Sequence, residues 1–98
     1  MIVITGSILA RAETVDALVE AALGHSRRSR AEDGCLSHRC YRDLEEPLRL
    51  FFYEEWRDMA AVKAHFAHAD TGIIMGAIRE LAAGSEGPVL LEAATVGR

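Results

Sequence analysis

His65 is the first residue in this 98-residue sequence whose type and setting suit chemistry. It lies in AAVKAHFAHAD, beside Phe66 and three residues before His68, a spacing that brings both imidazoles to one quadrant of a helix. A neutral imidazole near pH 7 suits proton abstraction from a phenol or hydroquinone. Phe66 faces inward in this reading, so His65 looks into a pocket. The plain alternative is a half-exposed helical histidine. With Asp70 or Glu54 the two histidines have the donor types for a divalent metal. Two histidines without a fixed third ligand make a poor site, however, and the sequence predicts no metal.

Trp56 closes the run LFFYEEW and offers an indole that stacks on a flat ligand, or else plugs the core beneath a following helix. Glu54 alternates onto the face of Phe52 and Trp56, where a buried carboxylate needs a partner; Arg39, Arg42 and Arg49 are available. His38 shares a face with Leu36 and Cys40, opposite Tyr41, and reads as structural. Cys35 has no nearby base and is a weak nucleophile candidate. Gly6 beside Ser7 reads as a bulge or a tight packing spot. No phosphate-cradling glycine loop, GxSxG, CxxC or HExxH occurs.

The elements that position these groups follow from periodicity and turn chemistry. MIVITGSILA reads as a first strand. Thr14 caps a helix with Val15, Leu18, Val19, Ala22 and Leu23 at helical spacing, continued by HSRRSRAE with a solvated face and ended at Asp33-Gly34. Cys35 to Asp43 and Leu48 to Trp56 form a hairpin across Leu44 to Pro47. Asp58 caps a short helix with Met59, Val62 and Phe66 on one side. Asp70 caps another with Ile74, Ile78 and Leu81 inward. The segment Gly84 to Pro88 breaks the pattern before a last strand, Val89 to Val96. The order β-α-β-β-α-β predicts an α+β, ferredoxin-like plait: a single domain over residues 1–98, with a four-stranded antiparallel sheet and helices on one face.

Composition narrows the function classes. Half of the residues are hydrophobic and 27% are charged, as in an ordinary globular domain, and the net charge of −4 argues against a nucleic-acid partner. No apolar run reaches the ~18 residues of a membrane span, and no signal peptide is legible, so a cytoplasmic protein is expected. Cys35 and Cys40, five apart in one strand, should point to opposite faces as reduced thiols. The strands carry apolar residues on both faces: Ile2, Ile4 and Ile8 against Val3 and Leu9, Phe52 and Trp56 against Phe51 and Tyr53, Leu90 against Val89 and Leu91. One helical layer covers one face, so the sequence predicts a homodimer packed sheet to sheet.

AEDGCLSHRCYRD (Ala31 to Asp43), EEPLRLFFYEEW (Glu45 to Trp56) and AAVKAHF (Ala60 to Phe66), in this order, resemble the antibiotic biosynthesis monooxygenase domain over almost the whole chain. The resemblance implies a dimeric α/β-barrel of ferredoxin-like subunits, each with a pocket between sheet and helices. It also implies oxidation of a small phenolic, anthrone or quinol molecule by O2 with no prosthetic group or other cofactor. His65 is then the base or orienting hydrogen-bond partner. Trp56 and Phe66 hold a planar substrate, Ser7 or Thr5 contacts an oxygen, and Phe52 and Val62 are apolar wall where polyketide-tailoring members carry polar groups. Haem-degrading members use an asparagine, a tryptophan and a histidine at positions that here carry Ser7, Phe66 and Gly76, so haem degradation is not expected. A stress-related or regulatory module that binds a small aromatic ligand without turnover is the alternative.

Overall fold

The computed structural model describes residues 1–97. Its elements are β1 (Ile2–Ala10), α1 (Val15–Ser29), β2 (Cys35–Arg42), β3 (Arg49–Trp56), α2 (Met59–Ala67), α3 (Ala69–Leu81) and β4 (Ala82–Glu92). The strands pair antiparallel in the order β2-β3-β1-β4. This is the expected plait, with the second helical region in two pieces. No helix among the described residues is long and apolar enough to cross a membrane.

Strand alternation sorts the core. Leu50 and Phe52 join Ile8, Ala10, Leu18 and Ala22 in one buried cluster, while Trp56 joins Ile2, Ile4, Ala61 and Val62 in a second. Glu54 sits between Phe52 and Trp56 on the same face of β3, with His38 of β2 as its registered neighbour. A polar layer therefore separates two apolar ones. On the opposite face Tyr41, Phe51, Val89 and Leu91 are between 39% and 51% exposed, an apolar surface that no helix covers.

Four expectations change. β2 carries a bulge between Cys35 and Ser37, with Leu36 as the extra residue. The bulge resets the parity, so Cys35 and Cys40 both pack on the helix side, against the second and first clusters respectively, and Leu36 is exposed while His38 is buried. β4 runs straight through Gly84 to Pro88 and ends at Glu92. As an edge strand it tolerates a proline, and a register shift opposite Gly6 absorbs the glycines. The cap of α3 is His68, whose Nδ1 accepts from the Asp70 N–H (3.1 Å), which frees the Asp70 carboxylate to turn inward. The nine-residue α2 buries Ala61, Val62 and His65 rather than a Met59–Phe66 stripe.

Two caps behave differently. Asp58 Oδ1 accepts from the Ala61 N–H (2.9 Å), as predicted. Thr14 stands at the start of α1, but its hydroxyl donates to the Leu81 carbonyl (2.7 Å), tying α1 to the end of α3.

The turn before β2 depends on Gly34, which has φ +83°, and a Cβ there would lie 2.5 Å from Ala61 Cβ. Both the left-handed backbone and the collision oppose any side chain. Gly34→Ala is expected to lower stability by about 2–3 kcal/mol, read as a lower urea midpoint at unchanged m. An unmoved midpoint would show that the turn and α2 relax freely.

Candidate active site

Among the described residues no arginine side chain pairs with the Glu54 carboxylate, and Arg30 reaches only the His38 backbone carbonyl (2.9 Å). Arg49 instead pairs with Glu46 (2.7 Å) on the open side, and Glu54 is bonded by the Trp56 indole N–H (2.9 Å). Glu54 Oε1 also stands 3.3 Å from His38 Nε2 and 3.8 Å from His65 Nε2. Burial raises the Glu54 carboxyl above its ordinary range, although the indole N–H and the nearby His65 oppose the rise.

His65 is 2% exposed, so the half-exposed alternative fails. Its Nδ1 lies 3.0 and 3.2 Å from the two carboxylate oxygens of Glu32, and its ring lies 4.5 Å from that of Trp56. Donating Nδ1–H to Glu32 fixes the tautomer and leaves the Nε2 lone pair free. His68 is exposed and occupied as the cap of α3, so the His65/His68 pair does not form.

Two further histidines join His65. His25 comes from α1, with Nδ1 2.7 Å from Asp70 Oδ2, and the other Asp70 oxygen accepts from Arg28. His38 comes from β2, with Nδ1 2.9 Å from Ser26 Oγ. Burial lowers the His25 imidazole, partly offset by Asp70, and pushes His38 down to about 3 with the help of its histidine neighbours. For Asp70 burial acts upward, but the bonds from His25 and Arg28 outweigh it and hold the carboxyl below its ordinary value. Sequence reading missed His25 because it placed HSRRSRAE on a solvated face. The signal was present: Leu18, Ala22, His25 and Ser29 step by four, three and four, so the histidine continues the buried stripe.

A cavity of about 130 Å³ opens between the sheet and α2–α3. His25, His65, Glu54, Phe52, Phe66 and Ile74 are in its wall. An apolar cavity of about 150 Å³ holds one six-membered ring, so a single-ring ligand is the right scale. A larger surface cleft of about 470 Å³ beside Met1 and Arg57 gathers no buried histidine or carboxylate.

The residues predicted to touch substrate separate. Phe52, His65 and Phe66 line the cavity. Trp56 and Val62 are fully buried in the second cluster, outside the lining, and Trp56 instead supports His65 from behind. Thr5 and Ser7 border the cavity at the β1–β4 bulge, but by register they stand with Tyr53 and Phe51 on the open face, where Ser7 Oγ accepts from Arg49 (3.1 Å). Cys35 is no nucleophile: burial, then the Glu54 and Glu32 charges, raise its thiol to about 11.

Comparison with known proteins places this geometry. The family model for antibiotic biosynthesis monooxygenases matches residues 1–72. A Deinococcus radiodurans structure described as a candidate antibiotic biosynthesis monooxygenase superposes with TM-score 0.94 at 24% identity, covering 100% of this chain and 97% of that one. Rv0793 from Mycobacterium tuberculosis gives TM-score 0.89 at 20% identity, over 99% and 98% of the two chains. Both show the shared fold. The uncharacterized protein sll1783 of Synechocystis is 32% identical over 65 residues, 66% of this chain, and the match spans 44% of that relative's length. The chain therefore belongs to the antibiotic biosynthesis monooxygenase family.

Proposed function

We propose that the protein is a cytoplasmic, homodimeric monooxygenase that oxidises a small phenolic or quinol-type ring with O2 in this cavity. The observation that carries the reading is His65, buried at the cavity wall with Nδ1 held by Glu32 and Nε2 free to accept a proton. Two unpaired thiols suit a reducing compartment. The uncovered apolar sheet face suits a second copy of the chain.

The chemistry follows from a proton. His65 Nε2 takes the phenolic hydrogen, and Glu32 stabilises the resulting imidazolium. The phenolate passes one electron to O2, and the radical pair recombines into a C–O bond at a ring carbon. The imidazolium returns its proton to the peroxide, the ring C–H proton is lost, the O–O bond breaks, and water leaves a carbonyl behind. For a hydroquinone the sum is one quinol and one O2 giving one hydroxyquinone and one water. The substrate supplies all four electrons, so no external reductant is needed. Phe52, Phe66 and Ile74 hold the ring and exclude water, which keeps the anion reactive. Oxygen uptake by metal-stripped protein with hydroquinones, anthrones and flavonols tests the reading. A ring that binds without uptake would favour the ligand-binding alternative.

A further inference from the structure

We propose that His25, His38 and His65, with Glu54, form a binding site for one divalent transition-metal ion. The proposal does not rest on the oxidation reading, since it stands on the mutual geometry of the four side chains.

The three histidines come from α1, β2 and α2 and are all buried. Their ring centroids are 5.0, 5.4 and 5.6 Å apart, and one potential ligand atom from each lies within 4.8 Å of the others. In all three, Nδ1 is taken by an outer group: Asp70 on His25, Ser26 on His38, Glu32 on His65. That leaves three Nε2 atoms as the available donors. Metal-binding histidines are oriented in this way, with the second ring nitrogen tied to a carboxylate, carbonyl or hydroxyl. Glu54 Oε1, 3.3 Å from His38 Nε2 and 3.8 Å from His65 Nε2, adds one oxygen. Three imidazoles and a carboxylate suit Zn²⁺, Co²⁺, Ni²⁺ or Fe²⁺.

A second observation points the same way. His38 is fully buried, yet its Nε2 has no aligned hydrogen-bond partner. A nitrogen orphaned in this way is destabilising, and a purely structural histidine gains nothing from it. An ion between the rings would satisfy it. Tetrahedral zinc needs ligand nitrogens about 3.4 Å apart, so the rings close inward on binding. His25, His65 and Glu54 also line the cavity, which leaves an ion there open to a small molecule. A bound ion would occupy the His65 lone pair that the metal-free reaction uses, so the two states exclude each other at that atom.

The test is calorimetric titration of metal-stripped protein with Zn²⁺ and with Co²⁺ as a spectroscopic probe. One ion per chain is expected, with the intense visible bands of tetrahedral Co²⁺. His38→Ala should weaken binding by more than about 100-fold and Ser26→Ala by about 10-fold, while Glu46→Ala, on the open side of the sheet where Glu46 pairs with Arg49, should leave it unchanged. Long-range ¹H–¹⁵N spectra of the unmutated protein remove any dependence on variant folding: Zn²⁺ should shift the Nε2 signals of three histidines and leave His68 in place. Absence of binding, or binding that His38→Ala spares, would overturn the proposal. None of these measurements uses a substrate, so failure of the metal site and failure of the oxidation reading are separable.

Discussion

His65→Ala is expected to slow oxygen uptake by the metal-stripped protein by about 10²- to 10⁴-fold, the range that a positioned general base contributes. The reason is positional. His65 lines the cavity with Nδ1 fixed at 3.0 Å by Glu32, and the neighbouring cavity imidazole, His25, is held by Asp70 on a different helix, with its ring centre 5.4 Å away. A base acts in the chemical step, so kcat and kcat/KM should fall together with KM little changed. His65→Gln separates chemistry from packing: the amide can still donate to Glu32 but accepts no proton at the operating pH. It should lose rate as the alanine variant does while ring binding, followed by Trp56 fluorescence, persists. Rates within threefold of the unmutated protein in both variants would remove His65 from the mechanism.

Phe51→Asp is expected to convert a dimer into a monomer. Phe51 lies in register with Tyr41 on one side and Ser7 on the other, at the middle of the sheet face that the helices leave open. Val89 and Leu91 extend this face onto β4. A standard interface buries about 800 Å² on each partner, and its centre is where a desolvated charge costs most. Light scattering at micromolar concentration should give about 21 kDa for the unmutated protein, twice the 10.7 kDa chain, and the chain mass for the variant. An unmutated monomer, or a variant that stays dimeric, would contradict the sheet-to-sheet assembly.

The sequence carried the plait because its signals are local. β-branched runs, helical spacing in Val15 to Leu23 and the Asp58 cap each act within a few residues. The departures came where pairing decides. Whether Gly84 to Pro88 ends a strand depends on its being at a sheet edge, which only the strand order β2-β3-β1-β4 reveals. The parity of Cys35 and Leu36 depends on a bulge against β3. The site was half legible for the same reason. His65 and Phe66 announced themselves as neighbours, but His25, Glu32, His38 and Asp70 join the site only through packing of α1, α2 and α3 over the sheet. Trp56 shows the limit of residue type as a guide. An indole able to stack on a ligand lies instead behind His65, donating to Glu54.

The most direct measurement is an oxygen-electrode assay of metal-stripped protein with hydroquinones, anthrones and flavonols, run with ¹⁸O2 so that the product reports its oxygen. The account predicts uptake above the spontaneous rate for a single-ring quinol, one O2 per substrate, one labelled atom in the product and loss of that uptake in His65→Ala. Rings that bind and quench Trp56 across the panel, with uptake no faster than the spontaneous rate, would contradict it.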